Sequence, residues 1–381
     1  MRIAQVGTFD LDNLGDLLFP WVFSKIVKKI AKEKEKDVEI VLFSPKGNKA
    51  GDIYSDQLES FPLELFDKED SRKRFDKIFI GGGDIIRSDD WSLGSVYGEL
   101  GPMLSFSQIL SPTVSPARRL VLLSPGAPFP ISDGARIFLK NSFLRIAHAA
   151  VRDTSTRRLI EALCPDDIQI SVLPDIVNDI ANHLTHAEVT ERSQRILKDF
   201  IPDSRPYICF QGHKDVVGSV QNASDLLRKI QADLGLPIVL LEIGRCLGDS
   251  EFLSSLGSEC NFPLISLRDK SSLNMLDKVS IIANSSGFVG SSLHGNIIAS
   301  AYGKPHISFV GSMSNKTKGF FMQCKTGLLY NSICDAIENV SAINSFLGPK
   351  KNYPIEFLKG KAIEDYIGKC LFSEKRIWRI C

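Results

Sequence analysis

The chain has 381 residues, of which 43% are hydrophobic and 24% charged, the balance of a globular protein with room for two domains. Its formal net charge is +1, so no global field draws it to nucleic acid. No apolar run approaches the roughly 18 residues that a membrane span needs, and the N-terminus lacks the long apolar core of a signal peptide, so a cytoplasmic location is expected.

The eight cysteines, Cys164, Cys209, Cys246, Cys260, Cys324, Cys334, Cys370 and Cys381, form no Cys-x-x-Cys pair, and several lie in apolar runs. Buried reduced thiols are the expectation. Triplets such as Asn222-Ala223-Ser224 then carry no glycosylation message.

In chain order, the apolar run Ile3–Val6 predicts a strand ending at Gly7. The loop 8–16 follows and a helix is predicted from near Leu17, with Phe23, Ile26, Val27 and Ile30 on one face. The lysines around it read as a solvated face. This is a Rossmann-type start, but Gly-x-Gly-x-x-Gly is absent, which argues against a dinucleotide site. Asn13, Gly15 and Asp16 fall at the exit of the first strand, where open α/β sheets bind ligands. A second strand is predicted at Val38–Phe43. Residues 44–74 are polar and give no clear element. A third strand, Asp76–Ile80, runs into Gly81-Gly82-Gly83-Asp84. Three glycines there fit either a plain tight turn or close approach of the backbone to a ligand. Further strands are predicted at Leu120–Leu123, Ala149–Val151 (with Arg152-Asp153 at its exit) and Ile168–Leu173 (leading to Pro174-Asp175), with a helix near 134–147. Alternating strands and helices predict a parallel sheet.

Residues 180–204 read as a polar connection. His183 and His186 are spaced i, i+3 in it, but no third metal ligand is evident, so exposed histidines are expected and no metal site. A second domain follows, with predicted strands at Pro206–Phe210, Pro237–Glu242 and Phe262–Ser266. Helices are predicted near 219–234 and 250–257, with another capped by Ser271 or Ser272 in which Leu273, Leu276, Val279 and Ile282 share a face.

The stretch Asn284–Phe309 organises the rest. It predicts a buried strand at 287–290, a tight turn, a helix from about 293 to 302 and a strand after Pro305. Ser291 and Ser292 are good N-caps. His294 would sit in the first helical turn, beside free N–H groups and the positive end of the helix dipole, a place that binds anions and lowers a histidine's proton affinity. Gly295 and Asn296 would present backbone donors to the same ligand. The strand exits of this half carry His213, Lys214, Arg245, Arg268, His294 and Lys316, all on one edge of a parallel sheet, which predicts a cleft for a small anion. The last segment, from 347, predicts a helix near 355–371 and then Lys375–Ile380. It can pack back on the first domain or touch an anionic membrane surface, and packing is the preferred reading.

Taken together, Asn13-Leu14-Gly15-Asp16, Ile78–Asp84, Val151-Arg152-Asp153, Leu173-Pro174-Asp175 and Ser291-Ser292-Leu293-His294-Gly295 through Gly303-Lys304-Pro305 resemble, in order, the polysaccharide pyruvyl transferase family. The resemblance runs from about residue 3 to about 320. It implies two Rossmann-like domains, similar to GT-B glycosyltransferases, with a cleft between them: 1–180 on the acceptor side, 205–346 on the donor side, 181–204 connecting them and 347–381 as a C-terminal helix. It implies transfer of the pyruvyl group of phosphoenolpyruvate onto two hydroxyls of a sugar, in a polysaccharide such as an exopolysaccharide or its lipid-linked precursor, to give a ketal. No cofactor is implied; phosphoenolpyruvate is a substrate. The family histidine maps onto His294. Many members carry arginine two residues earlier, where this chain has Ser292; members resembling exopolysaccharide ketal-pyruvate transferases also read Ser-Leu-His. Lys316 corresponds to a lysine of the family with a small offset.

On this reading His294 is the acid or base. Asp16, from the facing domain, orients or deprotonates a hydroxyl. Lys316, Arg245 and His213 are candidates for the anionic donor, with Asn13, Gly15, Gly82, Gly83, Asp84, Arg152, Ser291, Ser292, Gly295 and Asn296 lining the site. Two other readings remain open. One is a nucleotide-sugar glycosyltransferase, for which Glu251 and Glu259 have the Glu-x7-Glu spacing. The other is a non-catalytic glycan-binding protein on an enzyme fold.

Overall fold

The computed structural model describes residues 1–53, 55–86, 119–127, 131–143, 146–163, 169–201, 205–265, 274–310, 315–324, 327–348 and 360–372. They form two lobes, each a wholly parallel sheet with helices on both faces. Strands β1 (Arg2–Val6), β2 (Glu39–Ser44), β3 (Phe61–Pro62), β4 (Lys77–Ile80), β5 (Leu120–Leu123), β6 (His148–Val151) and β7 (Ile170–Val172) make the first sheet. Its order is β3-β2-β1-β4-β5-β6-β7. Strands β8 (Ile208–Gln211), β9 (Ile238–Leu241), β10 (Leu264–Ile265), β11 (Gly287–Gly290), β12 (His306–Phe309) and β13 (Gly327–Tyr330) make the second, in the order β10-β9-β8-β11-β12-β13.

The central strands are apolar along their length because parallel strands with helices on both faces have no wet side. β1, β5, β8, β9 and β11 are buried at every residue. In each sheet the chain winds outward in one direction and then restarts on the other side of its first strand. The reversal falls between β1 and β4 in the first lobe, with Val6 beside Ile80, and between β8 and β11 in the second, with Gly290 beside Gln211. Such reversals open a crevice at the carboxyl ends of the strands.

Several connections tie the lobes together. The helix Met275–Asn284 of the second lobe is capped at Asn274, reciprocally with Asp277, and not at Ser271 or Ser272; the latter pair, with Leu273 and Arg268, lies outside the described residues. Asp56 of the first lobe adds to the cap, its carboxylate accepting from the N–H groups of Met275 at 2.9 Å and Leu276 at 3.1 Å. Residues expected as an exposed connection instead form a 3₁₀ helix, Ile176–Asn182, and a helix, His186–Leu197, whose Arg192 and Arg195 pair with Asp277. His183 lies 2.8 Å from the Asp179 carboxylate and His186 packs edge-on against Tyr302; neither joins a cluster of potential metal ligands among the described residues. The helix Gly360–Phe372 returns to the first lobe, burying Ile363, Ile367 and Cys370 in the core that contains Ile30, with Lys29 bonded to Glu364 and Tyr366 to the Leu122 carbonyl. Among the described residues no helix is long and apolar enough to cross a membrane. Lys375–Ile380, the part of the last segment for which membrane contact was the alternative to packing, lies outside them. Of the thiols, Cys209, Cys324 and Cys370 are buried, whereas Cys334 is exposed.

The second lobe's helix depends on a carboxylate supplied by the first. Asp56→Ala is expected to destabilise the protein by about 1–2 kcal/mol, the usual cost of losing a side-chain cap. Urea unfolding of the two proteins measures it, and an unchanged midpoint would show that Asp56 does not support the helix.

Candidate functional site

The two sheet reversals face each other. The loops after β1 and β4 supply Thr8, Asn13, Asp16, Gly83 and Asp84 from one side; the exits of β8, β9 and β11 supply Gln211, His213, Gly244, Cys246, Ser291, Ser292 and His294 from the other. Between them is a cleft with about 300 Å³ of space. Its two walls are stitched at one end by backbone contacts. Leu14 N–H donates to the Ile243 carbonyl at 3.1 Å, Cys246 N–H to the Asp12 carbonyl at 3.3 Å, and Asn13 pairs antiparallel with Gly244.

His294 stands in the first turn of the helix Leu293–Ala301, capped by Ser292. The turn before it is fixed by a buried amide. Gln211 Oε1 accepts from Ser292 N–H at 2.8 Å and from Ser291 Oγ at 3.2 Å, while its Nε2 donates to Asp249 at 3.0 Å. Asp249 also accepts from Gly244 N–H at 2.8 Å, so one carboxylate fixes the exits of both β9 and β11. The imidazole lies flat on Gly15 of the opposite lobe: a Cβ there would fall 1.9 Å from Nδ1. Any side chain at position 15 would therefore occupy the ring's place. On the inner side, Nε2 lies 3.6 Å from Asp175 Oδ2, a charge contact longer than a hydrogen bond. Burial favours protonation of Asp175, but His294 and Arg152 outweigh it and hold the carboxyl below its usual range.

Asp16 follows Gly15 and is buried. It accepts a 2.6 Å hydrogen bond from Thr8 Oγ1. Burial raises its pKa to about 6, while Thr8 and His294 pull the other way. Gly83, with φ of 74°, brings its backbone against the Asp16 carboxylate; a Cβ there would lie 2.7 Å from Oδ1. Asp84 next to it pairs with Arg152 and, at 3.3 Å, with Lys316 of the second lobe. Burial works against the charge on Arg152, but Asp84, Asp175 and Asp153 keep it protonated. The wall thus carries fixed ions of both signs in a partly dry setting, where they act more strongly than in water.

Of the residues singled out in the sequence, Asn13, Asp16, Gly83, Asp84, Arg152, His213, Ser291, Ser292, His294 and Lys316 line the cleft. Gly15 does not line the cleft; it is buried beneath the His294 ring. Asn13 also caps the helix Leu14–Glu33, which starts three residues before the predicted Leu17 because the cap lies earlier. His213 caps the short helix Lys214–Val217. Four expectations need correction. Gly82 lies behind the cleft, against Phe9 and Phe19. Gly295 packs on the Phe288 ring, and its N–H is taken by Ser292 Oγ at 3.2 Å. Asn296 is buried, donating through Nδ2 to the carbonyls of Gly290 and Ser292, and its own N–H is taken by the Ser292 carbonyl. Arg245 is exposed outside the lining, although Gly244 and Cys246 on either side of it face in. Glu251 and Glu259 are exposed on the helix Asp249–Cys260, away from the cleft. Thr8, Gln211, Asp249 and Cys246 were missed. Thr8 and Gln211 lie at strand exits beside a reversal, a positional signal, whereas Cys246 and Asp249 lie farther along, after β9.

Comparison with known proteins agrees with this architecture. The family model for polysaccharide pyruvyl transferase matches residues 13–312. No curated protein sequence matches the chain significantly. Among solved structures, UDP-GlcNAc 2-epimerase from Methanocaldococcus jannaschii, in complex with UDP-GlcNAc and UDP, superposes with a TM-score of 0.59 at 12% identity, over 96% of this chain and 98% of that one. The Neisseria meningitidis UDP-GlcNAc 2-epimerase gives 0.59 at 9% identity, over 97% and 100%. The wall teichoic acid polymerase TagF, soaked with CDPG, gives 0.54 at 11% identity, over 97% and 87%. At such identities the likeness shows the fold alone, two Rossmann-like domains in the GT-B arrangement. The family match runs through both sheets and takes in most of the residues that line the cleft, though not Thr8, Leu11 or Lys316, and on it the chain belongs to the polysaccharide pyruvyl transferase family.

Proposed function

We propose that the protein transfers the pyruvyl group of phosphoenolpyruvate onto two hydroxyls of one sugar in a polysaccharide or its lipid-linked precursor, forming a cyclic ketal and releasing phosphate. The observation that carries this reading is the meeting of His294 and Asp16 across the cleft, two proton-handling groups from opposite lobes. The donor brings a carboxylate and a phosphate, which call for cations and N–H donors. Lys316, Arg152 and His213 line the cleft. At the start of the helix Leu293–Ala301, the N–H groups of Leu293 and His294 are not claimed by Ser292 or Gln211, so they can meet an anion. Lys316 and Arg152, now paired with Asp84, supply the cationic role that an arginine at position 292 would fill.

The chemistry balances without an external reagent. Protonated His294 gives a proton to the methylene carbon of the donor, and the neighbouring carbon becomes electrophilic. One sugar hydroxyl adds there, and its proton goes to a base in the cleft. The carbon–oxygen bond to phosphate breaks, the second hydroxyl adds to the same carbon, and its proton leaves on the phosphate. Asp16 suits the deprotonation, since a pKa of about 6 leaves it mostly ionised near neutrality yet basic enough to accept a proton. The polar sugar lies naturally on the Asp16 side and the anionic donor on the side of the second-lobe helix.

His294→Ala is expected to cut phosphate release from phosphoenolpyruvate with an acceptor glycan by about 100-fold or more. Near-normal turnover would remove His294 from the reaction. Mass spectrometry of the glycan should show the gain of a carboxyethylidene group.

Asp16→Asn tests the other wall through stability as well as rate. Burial lifts the folded-state pKa above its ordinary value, so ionising Asp16 costs the folded protein nothing below about pH 4 and the full amount above about pH 6. At about 1.4 kcal/mol per pKa unit, that cost approaches about 3 kcal/mol at pH 7. The variant should therefore be more stable by up to about that much at pH 7, show no gain near pH 4, and turn over about 100-fold more slowly. Thermal melts at the two pH values, paired with phosphate release, decide it; equal stability at both would mean the carboxylate is not strained by burial.

A further inference from the structure

The motif Leu173-Pro174-Asp175 has no part in the steps above, yet its carboxylate lies directly behind the proposed acid. We propose that Asp175 is the positioning residue for His294: it holds the imidazole with Nε2–H turned inward and leaves Nδ1, over Gly15, as the nitrogen that exchanges a proton with the substrate. This rests on the reading of His294 as the acid.

The two oxygens of Asp175 are divided between two tasks. One accepts from Val177 N–H at 3.0 Å, capping the 3₁₀ helix Ile176–Asn182 and pinning the carboxylate. The other, Oδ2, is buried, aimed at His294 Nε2 from 3.6 Å, and neither of these two atoms has another hydrogen-bond partner. An acceptor and a potential donor buried side by side and left for each other are a costly arrangement unless they pair in the working state. Catalytic hydrogen bonds are often long outside the Michaelis complex and tighten within it. The contact also crosses the lobes, since Asp175 leaves the first sheet and His294 belongs to the second.

The choice of nitrogen follows from the surroundings. Nε2 is buried against Asp175, whereas Gly15 covers the face of the ring beside Nδ1 and not its in-plane direction, and His294 lines the cleft. The charged groups around the ring are Asp16 on the helix Leu14–Glu33, Asp175 before Ile176, Arg152 after β6, and Lys316 with Asp84 at the cleft wall. Asp175 is the carboxylate on the inner side. It orients the ring, selects the tautomer and stabilises the imidazolium that gives its proton to the methylene carbon. After transfer the ring is neutral, with its remaining hydrogen on Nε2, and Nδ1 is reprotonated before the next turnover. Second-sphere carboxylates act on histidines in this way when they hold the far ring nitrogen.

The test uses the full chain, histidine-labelled with nitrogen-15, with His294→Gln identifying the resonance of His294. In the wild type the neutral ring should carry its hydrogen on Nε2. Asp175→Asn can still accept from Val177 N–H, so it should fold, which a thermal melt checks. It should lower kcat for phosphate release by about 100-fold with KM for phosphoenolpyruvate within threefold, and shift His294 towards a mixture of tautomers. Asp175→Glu should recover part of the lost kcat where Asp175→Ala does not. A wild-type ring protonated on Nδ1, or an Asp175→Asn protein with unchanged tautomer, overturns the proposal. If the wild type releases no phosphate from phosphoenolpyruvate, the proposed reaction fails, and the tautomer measurement still decides whether Asp175 holds His294.

Discussion

The imidazole of His294 rests on the Cα of Gly15, and the architecture of the site follows from that single contact between lobes. A ring from one sheet's reversal can reach the backbone of the other only if residue 15 lacks a side chain. The chain therefore places Gly15 at the second position of a long helix, between its cap, Asn13, and the buried acid, Asp16. The carboxylate next to the glycine then lies beside the imidazole, where burial and the histidine act on it in opposite directions. Shifting either helix start by one residue would separate the pair.

The wall around this contact consists of charges that restrain one another. Asp84 holds Arg152 from its own lobe and Lys316 from the other, and Asp249 orders two loops through backbone N–H groups and Gln211. Buried ions of this kind stabilise a fold weakly, because desolvation offsets much of their attraction. They do supply preorganised charge where a reaction develops charge. Under the proposed function, an anionic donor entering the cleft would compete with Asp84 for two cations, which would link its recognition to release of the Asp84 pairings.

Strand exits are where the sequence was most legible. Each central parallel strand is a short apolar run bounded by glycine or a polar turn, because burial on both faces leaves no room for alternation. That pattern located eleven of the thirteen strands among the described residues within a few positions, and with them the loops that hold Asp16, Asp84, Arg152, His213 and His294. It failed for β3 and β13: β3 is two residues long, and β13 is an edge strand with no fully buried position. It failed too for His186–Leu197, which reads as a polar connection. Its fully buried positions are Val189 and Leu197 with Ser193 between them, Ile196 packs only partly against the core, and Arg192 and Arg195 anchor it to a carboxylate far away in sequence.

The sequence by itself determined that there are parallel sheets in two domains, that a serine-capped helix carries His294 in its first turn, and that Asp16 follows the exit of the first strand, because strand burial and helix capping are local and written in neighbouring residues. Only the tertiary structure decided which of those groups meet. Gly295 and Asn296 turned inward and Arg245 outward, while Asp175, more than a hundred residues before His294, came to stand behind its ring. Those outcomes depend on how two lobes pack, and no spacing along a chain encodes a distance between surfaces that touch only after both sheets have formed.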